Sequence, residues 1–216
     1  MTKLDIISDP ICPWCYIGKA RLEAALAERP DHPFTIEWHP FQLNPDMPPE
    51  GLDQREYLEL KFGGREGAVK VYSQIAEAAE QAGVKVAFDK IERTPNTIDA
   101  HRLIHWAGLE GLQDAVVDLL FLAYFQDGVD ISDKSALTAI GAKAGMDPAM
   151  LATLFDGEND VDGIRARDAY ARERGVTGVP CFIINNQYVV QGAQGSDLWQ
   201  RVIDELTAAK PQQDAP

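Results

Sequence analysis

Two cysteines, Cys12 and Cys15, stand with only Pro13 and Trp14 between them, directly after the apolar run LDIIS and directly before the helical pattern YIGKARLEAALAER. No other feature constrains the chain as much, because it ties a buried strand, a turn and a helix N-terminus together in that order. LDIIS, residues 4–8, is short, rich in β-branched residues and stopped by Pro10, which predicts a buried strand. Beyond the cysteines Ile17, Leu22, Ala25 and Leu26 recur at helical spacing until Pro30. In FTIEWHPF, residues 34–41, Ile36 and Trp38 alternate with Glu37 and His39, as in a second strand. The chain opens strand, CxxC, helix, strand.

Such a cysteine pair serves as a staple, as half of a metal site or as a redox couple. A chain of 216 residues buries a core without a staple. Its formal net charge of −14, with no basic run, opposes binding to nucleic acid or to an anionic membrane. The N-terminus lacks the pattern of a signal peptide, and no apolar run reaches the ~18 residues of a membrane span, so the expected location is cytoplasmic. In that compartment closely spaced cysteines are catalytic or metal-binding rather than a lasting disulfide.

A structural zinc site wants about four ligands. Cys181 adds one thiol, and His101 and His105, at i,i+4 spacing, lack the glutamate of an HExxH motif, so no metal is expected. A redox couple fits better. Cys12 at a helix start would meet free backbone N–H groups and the positive end of the helix dipole, which favour thiolate. Pro13 suits the first turn, where its missing N–H costs nothing, and Cys15, one turn on, would face inward with a higher pKa. Cys181, after Pro180 at the start of a strand, reads either as a small buried hydrophobe or as a third thiol that modulates the pair.

From Asn44 the pattern changes. NPDMPPEG is a Pro-rich linker, and helical patterns follow in REGAVKVYSQIAEAAEQAG, NTIDAHRLIHWAG, GLQDAVVDLLFLAYFQDG, SDKSALTAIGAKAG and DPAMLATLFDG. Asn96, Ser132 and Asp147 read as N-caps, Pro148 as a first-turn proline, and Gly83, Gly128 and Gly145 as C-terminal glycines. After the helix DVDGIRARDAYARERG, the runs CFII and QYVV form a hairpin over Asn185-Asn186. A last helix, SDLWQRVIDELTAA, opens on Ser196 or Asp197 and is expected to bury Leu198, Val202 and Leu206.

SDPICPWCYIG, NTIDAHRLIHWAG and GVTGVPCFIINNQYVVQGAQ, in this order, resemble the DsbA-family thioredoxin-fold oxidoreductases, most of all their cytoplasmic FrnE-like branch. The resemblance spans nearly the whole chain. It implies an α/β, thioredoxin-like fold with an all-helical insertion. The thioredoxin domain would cover residues 1–43 and 158–210, the insertion 44–157, and a disordered tail 211–216. Cys12 would be the exposed nucleophile and Cys15 the resolving thiol. Pro13, Trp14, Val179 and a cis Pro180 would meet the substrate, a thiol- or disulfide-containing protein or peptide, with no bound cofactor. Asn96, His101 and His105 would line the cleft between the two domains.

Thiolate acidity does not set the direction of electron flow. A drop of ~2 units at Cys12 from ~8.5 stabilises the reduced form at pH 7 by only about 0.8 kcal/mol, roughly 18 mV. The span from thioredoxin to DsbA potentials is roughly 150 mV. The same architecture is similar to kappa-class glutathione transferases and 2-hydroxychromene-2-carboxylate isomerases. On that alternative, glutathione is a co-substrate and Ser196 and Asp197, at a helix start, receive its γ-glutamyl end. Those enzymes carry serine where Cys12 stands and do not need Cys15. A third reading is a redox-inactive binding module with a cleft lined by Trp14, Trp38, Trp106 and Phe125, residue types that otherwise build cores.

Overall fold

The computed structural model describes residues 1–208; the tail expected over 211–216 and the last two residues of the segment expected over 158–210 lie outside the described residues. The chain runs β1 (Thr2–Ser8), α1 (Pro13–Glu28), β2 (Phe34–Pro40), β3 (Leu52–Asp53), α2 (Gln54–Phe62), α3 (Arg65–Gln81), β4 (Arg93–Thr94), α4 (Ile98–Leu109), α5 (Gln113–Phe125), α6 (Lys134–Ala144), α7 (Pro148–Asp156), α8 (Val161–Glu173), β5 (Cys181–Ile184), β6 (Tyr188–Gln191) and α9 (Ser196–Ala208). The central sheet has the order β2-β1-β5-β6. β1 runs parallel to β2 from Thr2↔Phe34 to Ser8↔Pro40 and antiparallel to β5, where Ile7 faces Cys181. β5 and β6 form the expected hairpin, with Asn185 and Asn186 at φ 50° and 56°. Asparagine is among the few side chains that adopt this left-handed conformation readily.

The two faces of β1 enter different apolar clusters. Leu4 and Ile6 pack with Leu22 and Ala25 of α1, Phe182 and Ile184 of β5, and Trp199 and Ile203 of α9. Ile7, on the opposite face, packs with Phe41, Val176 and Cys181. The first cluster continues without interruption into α4–α7 through Leu103, Phe121, Phe125, Leu137 and Phe155, so the sheet and the intervening helices share one core. Trp38, Trp106 and Phe125 are buried in it, and the two indoles donate to Asp114 and Asp160 at 3.0 and 2.8 Å.

Local differences from the sequence reading have simple causes. α9 buries Trp199 and Ile203, with Leu198, Val202 and Leu206 only half-buried, because the helix is turned so that Trp199 meets Phe182 edge-on at 4.8 Å. α2 has no counterpart among the expected helices, since LDQREYLELKF carries few apolar residues; Asp53 caps it by accepting from the Glu56 N–H at 3.0 Å. Asp133 rather than Ser132 caps α6, and Thr97 rather than Asn96 precedes α4. Arg102, 1% exposed, joins α4 to the end of α7 by donating to the carbonyls of Leu154, Gly157 and Asn159 and to Asp99.

Candidate active site

Cys12 is the residue before α1, in extended conformation at φ −86° and ψ 112°, and Pro13 fills the first helical position. Its carbonyl accepts from the N–H groups of Cys15 and Tyr16 at 3.0 and 3.2 Å. The thiol of Cys12 points at the Val179 carbonyl oxygen, 3.6 Å away. The Val179–Pro180 peptide bond is cis. The sequence thus brings together residues 167 positions apart.

Cys12, expected to be exposed, is only 3% accessible. The segment carrying Val179 and Pro180 lies over the start of α1, and Gly18 lets it come close. A Cβ at Gly18 would stand 3.0 Å from Pro180 Cγ and 3.5 Å from both Ala193 Cα and Phe182 Cζ. Pro13 and Trp14 are half-buried beside the cysteine, Trp14 leaning on the Ile17, Ile75 and Ala79 cluster of α1 and α3.

Cys15 is 1% exposed. Burial, and then its hydrogen bond to Cys12 and the charge there, push its thiol well up, while the Ser8 hydroxyl and the Asp9 N–H pull in the other direction. All three cysteines are free thiols. Cys181 is on the far side of the sheet: it packs with Ile7, Phe41 and Val176, whereas Cys12 and Cys15 belong to the cluster of Leu4, Ile6 and Phe182. Burial raises its pKa. The structure does not bring Cys181 to the pair, and its surroundings are those of a small core hydrophobe.

Beneath the cysteines is a polar group that sequence reasoning missed. Asp9 is fully buried, and its carboxylate accepts from Leu43 N at 2.7 Å and from Ile11 N at 3.4 Å. Burial nonetheless lifts its carboxyl to about 7. His101 Nε2 stands 3.8 Å from Asp9 Oδ1, is buried and has no hydrogen-bond partner. Burial lowers His101 to about 4, so at neutral pH the ring is uncharged and no ion pair forms. The only hint in the sequence was an acidic residue placed after a buried strand, where Asp-Pro reads as an ordinary turn.

The other candidates are spread out. His101 is 2% exposed and does not line an open cleft; His105, one turn on along the same face of α4, reaches a groove beside β2 and α8. There it receives Arg167 at 3.3 Å in a groove of about 800 Å³ with His39, Asp5 and Glu37. Asn96 is occupied structurally, donating to Met47 O at 2.6 Å and accepting from Ile98 N at 3.0 Å. Ser196 is half-exposed at the start of α9, and Asp197 pairs with Arg201 at 3.0 Å. The 193–197 turn reaches α1 through Arg21, which donates to Ala193 O at 2.6 Å. Two groups have metal-ligand proximity, Asp5 with Glu37 and His39, and Glu23 with Asp114 and Asp118. Lys3 Nζ balances the first at 2.9 and 2.8 Å from Asp5 and Glu37, and Lys19 balances the second.

Among the described residues no helix is long and apolar enough to cross a membrane. A probable DsbA oxidoreductase of Streptomyces coelicolor superposes with a TM-score of 0.86 at 27% identity, over 100% of this chain and 94% of that one. A 2-hydroxychromene-2-carboxylate isomerase shares the fold at a TM-score of 0.73 and 16% identity, over 99% and 100% of the two chains. So does the cytosolic disulfide reductase DsbM of Pseudomonas aeruginosa, solved with glutathione, at 0.68 and 18%, over 95% and 99%. YwbO of Bacillus subtilis, itself uncharacterized, is 28% identical over 204 residues, 94% of this chain and 96% of its own. The model of the DSBA-like thioredoxin domain matches residues 3–204, and with a dithiol seated at the start of α1 the chain belongs to that family of oxidoreductases.

Proposed function

We propose that the protein exchanges disulfides with thiol- or disulfide-containing proteins or peptides through Cys12 and Cys15. The observation that carries this reading is the placing of Cys12 at the N-terminus of α1, against the Val179 carbonyl of the Pro180 segment, with the high-pKa Cys15 directly below it. Cys12 stands at the start of α1, where backbone N–H groups have no helical partner, while Cys15 is buried one turn on, so Cys12 is the attacking sulfur. In the reductive direction its thiolate attacks a substrate disulfide, forming a mixed disulfide and releasing one substrate thiolate. Cys15 then loses its proton and attacks Cys12, and the second substrate thiolate leaves. In the oxidative direction a substrate thiolate attacks Cys12 of the Cys12–Cys15 disulfide. The backbone beside Pro180 at Val179 is where a substrate strand would pair, next to Pro13 and Trp14.

Equilibration in glutathione buffers, with the disulfide quantified by mass, tests this. A reversible two-electron couple in the wild type that is lost in Cys15→Ser is the expected result, and its potential gives the direction of flow. If Cys12 instead collects one glutathione and no intramolecular disulfide forms, the proposal falls. The glutathione-dependent alternative then takes its place, favoured by the fold shared with the isomerase and by a disulfide reductase solved with glutathione. On that reading Ser196 and Asp197, at the start of α9 beside the turn that Arg21 ties to α1, would receive the γ-glutamyl end of glutathione. Its discriminator is glutathione binding to Cys12→Ser.

A further inference from the structure

A groove of about 800 Å³, within the range of small-molecule sites, lies on the face of the sheet turned away from the dithiol. Strand alternation sets this. Asp5 and Ile7 of β1 line the groove, whereas Leu4 and Ile6 point to α1 and the cluster that holds Cys12 and Cys15. The apolar part of the groove is largely aliphatic, with Ile7, Val176 and Ile183 in its wall and Leu109, 76% exposed, at its rim. Disulfide exchange at Cys12 uses none of these residues.

The polar part has an excess of donors. Arg167 of α8 donates from one terminal nitrogen to His105 Nδ1 at 3.3 Å and from the other to His39 Nδ1 at 3.1 Å. A guanidinium only donates, so both Nδ1 atoms offer lone pairs, and each neutral ring carries its proton on Nε2. His39 gives that N–H to Asp5 Oδ1 at 2.5 Å. His105 Nε2–H has no hydrogen-bond partner among the described residues, and neither do the remaining N–H groups of Arg167. The acids of the groove, by contrast, are already matched. Lys3 Nζ stands 2.9 and 2.8 Å from Asp5 and Glu37, and Asp114 accepts from Trp38 Nε1 at 3.0 Å. The carboxylate nearest Arg167 is Glu37, at 3.9 Å, beyond hydrogen-bond distance. Arg174, just past the end of α8, donates to the Tyr170 hydroxyl at 3.0 Å. In a chain of net charge −14, this groove holds two arginines with no hydrogen-bonded carboxylate among the described residues.

We propose that the groove binds an aliphatic carboxylate. Its head accepts from the free N–H groups of Arg167 and from His105 Nε2–H, and its chain lies along Ile183, Val176 and Leu109. The planar fork of a guanidinium matches a carboxylate, and the matched acids leave no other acceptor for it in the groove. Arg174 is seven residues on, about 10 Å along the helix, so each uncompensated charge stands alone. A lone guanidinium suits a monoanion better than a phosphate group, which carries close to two charges at neutral pH.

Titration calorimetry of the reduced, full-length protein with octanoate at neutral pH tests this, with octanamide and acetate as controls. Octanoate should bind at least tenfold more tightly than octanamide, which lacks the charge, and than acetate, which lacks the chain. Tenfold is the scale of losing charge-assisted hydrogen bonds to arginine. Arg167→Gln should weaken octanoate at least tenfold. Leu109→Glu, at an exposed position where the fold tolerates it, should weaken it severalfold by setting a like charge at the rim. In the wild type, octanoate should shift the imidazole nitrogen signals of His105 in NMR spectra. Cys12→Ser should bind octanoate as the wild type does, so the groove and the disulfide chemistry are judged separately. The proposal is overturned if millimolar octanoate does not bind, if octanamide binds as tightly, if both groove variants keep wild-type affinity, or if Cys12→Ser abolishes binding.

Discussion

Gly18 offers a way to move the Pro180 segment by a few tenths of an ångström without touching a cysteine. In Gly18→Ala the new Cβ would stand 3.0 Å from Pro180 Cγ, with Ala193 Cα and Phe182 Cζ at 3.5 Å. Overpacking of this kind costs ~1–3 kcal/mol. Replacing a helical glycine by alanine returns about 1 kcal/mol. The two nearly offset, leaving a net loss of ~0–2 kcal/mol, and for a chain of this size about 2–4 °C of Tm per kcal/mol. Pro180 must shift, and it carries the Val179 carbonyl that sits 3.6 Å from Cys12 Sγ. An ångström of misplacement costs about 100-fold in rate, so a third of that costs about fivefold. Single-turnover oxidation of the reduced protein by glutathione disulfide, read beside a thermal melt, makes the measurement. Gly163→Ala is the control: it sits in α8 with nothing within 4 Å of its Cβ, and should raise Tm by about 2–4 °C with no change in rate. If Gly18→Ala reacts at the wild-type rate, or loses more than ~3 kcal/mol with its rate intact, the argument from close approach is refuted.

Further outcomes are fixed by the same structure. Arg102→Leu removes the donor for three carbonyls and Asp99 at a 1% exposed position, and should cost ~3–5 kcal/mol in denaturant unfolding; a loss below ~1 would show that these contacts are dispensable. Cys181→Ala should leave redox potential and turnover as they are and cost under ~1.5 kcal/mol, because Cys181 packs away from the dithiol; a shifted potential would revive it as a modulating thiol. The folded-state carboxyl of Asp9 is raised from 3.8 to about 7, so the folded protein holds a proton that the unfolded chain has released. Its contribution is full below about pH 4 and lost as pH rises through about 7. The stability of Asp9→Asn relative to wild type should therefore climb by at most ~1.4 kcal/mol per pH unit across that window and then level off, and a flat difference would refute the burial of a protonated Asp9. His101, lowered to about 4, has the opposite sign: its contribution is present above pH 6.5 and lost as pH falls towards 4, an effect that His101→Gln should remove.

The parts of this fold whose signals are local are legible in the amino-acid order. Strand periods at 4–8 and 34–41, the Asn185-Asn186 turn, Pro13 at a helix start and Pro148 after its Asp147 cap are each written in a few adjacent residues, and the motif order carried the family. α2 escaped because it packs with a sparse apolar face, and the burial of α9 was misplaced by a fraction of a turn because Trp199 is pulled towards Phe182. Which groups share a space is settled by packing between distant segments. Cys181 was one residue from Pro180 in the chain, yet β-strand alternation put it on the other face of the sheet from Phe182 and the dithiol. Asp9 and His101 are 92 residues apart and meet because the end of β1 and the start of α4 converge under α1. Cys12 looked exposed because a helix N-terminus usually is, and lies covered because Gly18 admits Pro180. Such outcomes depend on desolvation and close packing between distant segments, which no short window of sequence contains.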